Sequence, residues 1–297
     1  MQLSGLNTEK QNRASADLDK LNALEIVTLM NREDAHVLRA VRRALPAIAQ
    51  AIDVVHDHLA KGGRLIYVGS GTSGRIGALD ASECPPTFGT DPDLIQYVIA
   101  GGEHALANAT EASEDLPQLG KRDMAARKPG KKDVVVGLAA SGRTPYTVAA
   151  LKYAAKKGAA TIAIICNAGS ELASVAEIAI VAEVGPEVLT GSTRLKAGTA
   201  QKLICNMLTT GAMARLGYVY GNLMVNLHLK NEKLIERGIS IVQRVAKVNR
   251  TVALAALEAA GMKVSVALVM LCAKVSKPEA TRRLKHAQGS IRRAIEG

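Results

Sequence analysis

The chain has 297 residues, 48% hydrophobic and 22% charged, which suits one large globular domain with extensions, or two domains, needing neither metal nor disulfide for stability. Such a composition excludes a long disordered tract, and no apolar run reaches the ~18 residues of a membrane span, because Glu258 and Lys263 interrupt the best stretch. The net charge of +11 is lopsided, with 14 basic and 5 acidic residues between His228 and Gly297, and with no Trp, one Phe and six Tyr the chain nearly lacks stacking platforms for bases.

Residues 1 to about 60 read as helical, with Leu21, Leu24, Ile26, Val27 and Met30 supplying a first apolar face and Glu33 to Leu59 a second pattern. Pro46 stands where one helix is expected to end and another to begin. Gly62-Gly63 then stops the helix and releases a strand.

The centre alternates strand and helix. Strands are expected at Leu65–Val68, Leu94–Ile99, Asp133–Leu138, Thr161–Cys166 and Ile178–Val181, followed by a long helix from Leu195 to Leu216. These runs are continuously apolar rather than alternating, so both faces should be buried. The expected fold class is therefore α/β, a parallel sheet sandwiched by helices. From about Val225 onward no strand signal remains, and Val252–Ala260, Val264–Ala273 and Glu279–Ala287 read as short helices of a small appendage.

Cys84, Cys166, Cys205 and Cys272 lie far apart with no C-x-x-C pair, as expected for buried thiols in a reducing compartment. Met1–Gly5 lacks the basic and apolar regions of a signal peptide, so a cytoplasmic location is expected. His56 and His58 are two apart and point in different directions on a helix, which argues against a zinc site.

Three loops carry chemistry. The first strand runs into Gly69-Ser70-Gly71-Thr72-Ser73-Gly74-Arg75, a strand, a small-residue turn and a helix N-terminus, which together favour an anion. Ser70, Thr72 and Ser73 suit the several oxygens of a phosphate monoester. By letter the run is also G-x-G-x-x-G, but no clear ribose-binding acid follows about 20 residues on. A nucleotide-dependent oxidoreductase therefore stays open as a lesser reading, beside a purely structural glycine turn.

The third strand repeats the arrangement in Ala139-Ala140-Ser141-Gly142-Arg143-Thr144-Pro145, with Pro145 expected in the first turn of a helix. Two hydroxyl-rich turns at the C-terminal ends of parallel strands point to one crevice for a small phosphorylated ligand. In the third cluster, Gly185 to Lys202, Ser192 or Thr193 is expected to cap the long helix. Arg194 and Lys196 then fall in its first turn, where the dipole disfavours cations, which suggests an anionic partner.

Together with Asp80-Ala81-Ser82-Glu83-Cys84-Pro85-Pro86-Thr87, these three loops resemble the N-acetylmuramic acid 6-phosphate etherases, a family with a sugar isomerase (SIS) domain related to the glucokinase regulatory protein. The resemblance runs in order from about Leu24 to Ile295, departing at Phe88 and Leu195, where Tyr and Met are expected. It implies N-terminal helices over 1–54, a SIS sugar-phosphate-binding domain over 55–220 and a C-terminal helical region over 221–297. It further implies cleavage of the lactyl ether by elimination and water addition, without cofactor or metal, in a homodimer.

The resemblance assigns catalysis to Glu83 and Glu114. Pro85-Pro86 is expected to limit the helix behind Glu83 so that its carboxyl faces the crevice. Glu83 is expected to serve the elimination and Glu114 the addition of water. Ser70, Thr72, Ser73, Ser141, Thr144 and Ser192 are the expected substrate contacts, with Arg194 and Lys196 neutralising phosphate or lactyl carboxylate.

Two non-enzymatic readings compete. A sugar-phosphate-binding regulator would have no need of Glu83 and Glu114. A DNA-binding regulator would need a basic helix-turn-helix, but residues 1–50 carry 7 basic and 6 acidic residues. Neither a nucleic-acid nor a membrane partner is expected.

Overall fold

Five apolar runs form the strands of one parallel sheet: β1 (Leu65–Gly69), β2 (Ile95–Ile99), β3 (Val134–Leu138), β4 (Ala160–Ile165) and β5 (Ile178–Val181). The computed structural model describes residues 7–108, 113–229 and 231–297, so residues 1–6, which include the Met1–Gly5 segment, 109–112 and 230 lie outside it. Strand order is β2-β1-β3-β4-β5. The three inner strands are buried along their whole length, whereas the edge strands β2 and β5 are only partly so. Continuous apolarity thus did report burial on both faces. The chain divides into two compact units, one made of the described residues to Ser82 with Asp93–Thr209, the other of Glu83–Pro92 with Thr210–Gly297.

In the first unit, α1 (Ala23–Ala60) opens on a capping box. The Asn22 side chain accepts from the Glu25 N–H, and the Glu25 carboxylate accepts from the Asn22 N–H. Pro46 does not divide the helix; it lies inside a single 38-residue α1. The proline removes one hydrogen bond, a cost of about 3 kcal/mol. Buried residues at helical spacing from Leu29 to Leu59 offset it, each large apolar side chain contributing about 1.5–3 kcal/mol.

β1 leads to α2 (Gly71–Phe88), and β2 to the short α3 (His104–Ala107) and to α4 (Pro117–Ala126). β3 leads to α5 (Pro145–Lys156), β4 to α6 (Glu171–Val175) and β5 to α7 (Lys196–Arg215). One face of the sheet packs Ile66, Val68, Val135 and Ile165 against Met124 of α4 and Tyr146 and Leu151 of α5. On the other, the Tyr67 hydroxyl donates to Asp80 Oδ2 (2.9 Å), and Asn206 Nδ2 of α7 donates to Asp80 Oδ1 (2.7 Å), tying α2 and α7 to β1. At the far end of the strands Arg64 clamps Asp133 through Nε (3.1 Å) and Nη2 (2.8 Å), fixing β1 against β3. That guanidinium holds the Asp133 carboxyl below its ordinary value against the upward push of burial.

The helices of the second unit are α8 (Glu232–Ala246), α9 (Arg250–Ala259), α10 (Val264–Ala273), α11 (Lys277–His286) and α12 (Ile291–Glu296). α9, α10 and α11 match the expected segments; α8, α12 and a hairpin of Val219–Tyr220 with Leu223–Met224 are additional. Its core joins Val242, Leu257, Val264, Leu268 and Ile291. Among the described residues no single helix is long and apolar enough to cross a membrane. α9 and α10 together pass on length and composition but are bent by 113°, and both contribute to this core.

Candidate active site

The strand order reverses at β1, which lies between β2 and β3, and a ligand crevice is expected beyond the carboxyl ends of such strands. Ser70 follows β1 directly and α2 begins at Gly71, so the unpaired N–H groups of its first turn face outward there. Beyond β3, Gly142 has φ +67°, and a Cβ on it would stand 2.1 Å from Ser170 Oγ, so this turn requires glycine. The Arg143 N–H donates to Ser141 Oγ (3.2 Å), and Pro145 opens α5 as expected. Thr144 precedes it without a side-chain capping bond.

These two turns form one cleft of about 350 Å³, lined by Ser70, Gly71, Thr72, Ser73, Ser141 and Thr144, with Glu9, Arg75, Glu114 and Thr193. Two helix N-termini, of α2 and α5, therefore meet six hydroxyl side chains. That combination provides backbone donors and a favourable dipole for an anion. Glu114 is placed from both sides. Its carbonyl accepts from the Tyr146 N–H (3.1 Å), and its Oε1 lies 3.0 Å from where a Cβ on Gly71 would be. Arg75 does not stand as a loose cation. Its guanidinium donates to the carbonyls of Ala105 (3.0 Å), Leu106 (3.1 Å) and Asn108 (2.8 Å).

Ser73 is 9% exposed, and its hydroxyl donates to Oε1 of Gln201 (2.9 Å), itself 1% exposed; among the described residues Gln201 Nε2, also buried, has no partner. Sequence reasoning missed Gln201, which stands seven residues beyond Arg194 in the third cluster. Asp80, in the neighbouring network, has its carboxyl pushed up by burial, against the pull of Asn206, Tyr67 and Thr209.

The third cluster differs most from expectation. Lys196 is 2% exposed, and its ammonium pairs with Glu33 Oε2 of α1 (2.8 Å), so it does not line the cleft as an anion ligand. Burial pushes the Glu33 carboxyl up, but Lys196 and Asn12 together hold it below its ordinary value. The cap of α7 is neither Ser192 nor Thr193. Glu187, fully buried, accepts from the N–H groups of Lys196 (2.9 Å) and Ala197 (2.9 Å). A buried acid therefore explains the cation in the first turn: the charge is matched inside the protein. Burial dominates at Glu187 and raises its carboxyl. Of the cluster only Thr193 lines the cleft; Ser192 is half-buried, and Arg194 is exposed.

Glu83 lies exposed on α2 and is not among the residues lining the cleft. Pro85 and Pro86 do not end that helix, which continues to Phe88. Burial lifts the Cys166 thiol to about 12 and raises Cys205 as well, so both behave as packing residues. Among the described residues, no three His, Cys, Asp or Glu side chains come together as a metal site would need.

Residues 47–155 match the model of the glucokinase regulatory protein N-terminal SIS domain, and residues 120–211 that of the SIS domain. Over the whole length the chain is similar to proteins named N-acetylmuramic acid 6-phosphate etherase. The one from Clostridium beijerinckii is 48% identical, covering 100% of this chain and 97% of the relative. That from Burkholderia lata is 53% identical over 99% of this chain and 97% of its own. The Klebsiella aerogenes protein is 49% identical over 99% and 98%. Among solved structures, a candidate sugar-phosphate isomerase from Listeria monocytogenes superposes with a TM-score of 0.50 at 14% identity, covering 67% of this chain and 94% of its own, a likeness of fold.

Proposed function

The chain belongs to the N-acetylmuramic acid 6-phosphate etherase family, and on that premise we propose that it cleaves the D-lactyl ether of N-acetylmuramic acid 6-phosphate. The products are N-acetylglucosamine 6-phosphate and D-lactate, as in peptidoglycan amino-sugar recycling in the cytoplasm. The observation that carries the reading is identity at about half of all positions, end to end, with relatives of that name. The cleft supports it, because its hydroxyls and helix N-termini suit a phosphate monoester and Glu114 stands among them.

The chemical difficulty is that an alkoxide-like lactate oxygen leaves poorly. Opening the sugar ring gives a C1 aldehyde that acidifies the C2 proton. A carboxylate removes that proton, the C3–O bond breaks as the lactate oxygen is protonated, and an α,β-unsaturated aldehyde results. Water then adds at C3, giving up one proton to a carboxylate, and a proton returns to C2, so that the aldehyde form of N-acetylglucosamine 6-phosphate results. Such transfers contribute typically ~10²–10⁴-fold each. We assign Glu114, which lines the cleft, to activation of water, and Glu83, which does not line it, to the elimination on the family resemblance alone. Ser70, Thr72, Ser73, Ser141 and Thr144 are assigned to the phosphate and sugar. Neither metal nor redox cofactor enters this reading.

A homodimer is part of the proposal. Leu24, Leu38 and Leu45 fall on one heptad stripe of α1 and are 74%, 65% and 44% exposed, as a paired helix face would be in a separated copy. Light scattering checks the pairing. Incubating the purified protein with N-acetylmuramic acid 6-phosphate should release lactate at a rate unchanged by dialysis against a chelator. Absence of lactate, with substrate intact, would overturn the assignment.

A further inference from the structure

The described part of the chain before α1 forms three short 3-10 turns, Asn7–Glu9, Arg13–Ser15 and Leu18–Lys20. It is fastened to distant loops. The Asn7 N–H donates to Asn167 Oδ1 (2.8 Å), and Asn167 Nδ2 donates to Oγ1 of the fully buried Thr8 (3.1 Å). Asn12 Nδ2 donates to Glu33 Oε2 (2.7 Å) and to the Pro186 carbonyl (3.2 Å), and Ser15 Oγ to the Val188 carbonyl (2.7 Å). Between these fixed points stands Glu9, half-buried and lining the cleft with Ser70, Ser141 and Glu114. Its Oε2 lies 3.4 Å from where a Cβ on Gly191 would be. Among the described residues no hydrogen bond or ion pair takes up the Glu9 carboxylate.

A half-buried carboxylate is costly to hold without partners, and when ionised it only accepts hydrogen bonds. Against a phosphate it would be repelled; against a neutral hydroxyl or amide N–H it gains a charge-assisted bond. We propose that Glu9 is a specificity-determining residue, accepting a hydrogen bond from a neutral hydroxyl or amide N–H on the carbohydrate part of a bound sugar phosphate, while the serine and threonine turns hold the phosphate. The inference rests on the sugar-phosphate reading of the cleft, but not on ether cleavage.

Calorimetric titration of the wild type, Glu9→Ala and Glu9→Gln with N-acetylglucosamine 6-phosphate and with inorganic phosphate tests it. Glu9→Ala should lose roughly ten- to a hundred-fold in affinity for the sugar phosphate. Glu9→Gln, which keeps an acceptor without the charge, should lose less. Inorganic phosphate should bind all three proteins alike. Equal losses for both ligands, or no loss for either, would overturn the proposal. Lactate release by the wild type is scored separately: a protein that binds the sugar phosphate with the expected Glu9 pattern but releases no lactate leaves Glu9 standing and removes the etherase reading. Normal lactate release with undiminished sugar-phosphate affinity in Glu9→Ala does the reverse.

Discussion

Ser73→Ala probes folding and binding through one hydroxyl. In the free chain that hydroxyl donates to Gln201 Oε1, and Gln201 is 1% exposed with no partner for its Nε2 among the described residues. Removing the hydroxyl leaves the whole amide buried without a partner, which costs about 1–3 kcal/mol of stability. Gln201→Met, of similar length, should cost no more than Ser73→Ala. The double variant, in which neither polar group is left over, should regain most of the loss, because replacing both partners by apolar groups is close to neutral. Denaturant titration of the four proteins closes the cycle, with an expected coupling of at least ~1 kcal/mol. Affinity should behave otherwise. If Ser73 also touches phosphate, Ser73→Ala and the double variant weaken sugar-phosphate binding alike, by roughly 1.5–3 kcal/mol, while the unphosphorylated sugar is indifferent. Additive stability losses would refute the role given to the Ser73–Gln201 bond. Equal affinity losses for phosphorylated and unphosphorylated sugars would refute the phosphate contact.

Three further outcomes are expected. Glu83→Gln should lower turnover roughly 10²–10⁴-fold with phosphate binding intact, whereas Glu114→Gln should accumulate the unsaturated aldehyde; single-turnover assays following lactate and enal separately decide both. Lys196→Met leaves the Glu33 carboxylate buried without its cation and should cost about 3–5 kcal/mol near neutral pH, less toward pH 5 as Glu33 takes up a proton; equal loss at both pH values would contradict this. Glu33 and Asp133 both titrate below their ordinary range, so their contribution is complete above the unfolded carboxylate values near ~4 and is lost as pH falls through the folded ones; Asp133→Asn should flatten that acid limb in pH-dependent denaturation.

The strands were readable because β1, β3 and β4 are buried on both faces, and a continuous apolar run has few other meanings. The two hydroxyl-rich turns were readable because their chemistry is local: each is a strand end, a small-residue turn and a helix start. What failed was everything settled by distant partners. Lys196 looked like an anion ligand because its counter-charge, Glu33, lies 163 residues earlier, and nothing local marks the pair. Glu187 offered one signal, a lone acid ahead of a long helix, but its cap acts across nine residues rather than the usual two or three. Pro46 misled because its local meaning, a helix start, was overridden by packing along α1. Gly238 in mid-helix obscured α8; a Cβ there would stand 2.9 Å from Leu229 Cδ2, so the glycine serves tight packing rather than a break. Glu9 carries no local signal at all.

The fastening of residues 7–15 also bears on how the protein is made. Ser15 is synthesised 173 residues ahead of the Val188 carbonyl that accepts its hydroxyl, and Asn7 160 residues ahead of Asn167. Glu33, which accepts from Asn12, follows within 21 residues, but at about 5–20 residues per second the Asn167 and Val188 anchors come roughly 10–35 s later during translation. The cleft wall bearing Glu9 is thus synthesised first, and its Val188 seat only after all five strands of the sheet have been synthesised. A nascent chain halted before Val188 would hold both hydroxyl-rich turns while its opening residues still lacked that berth.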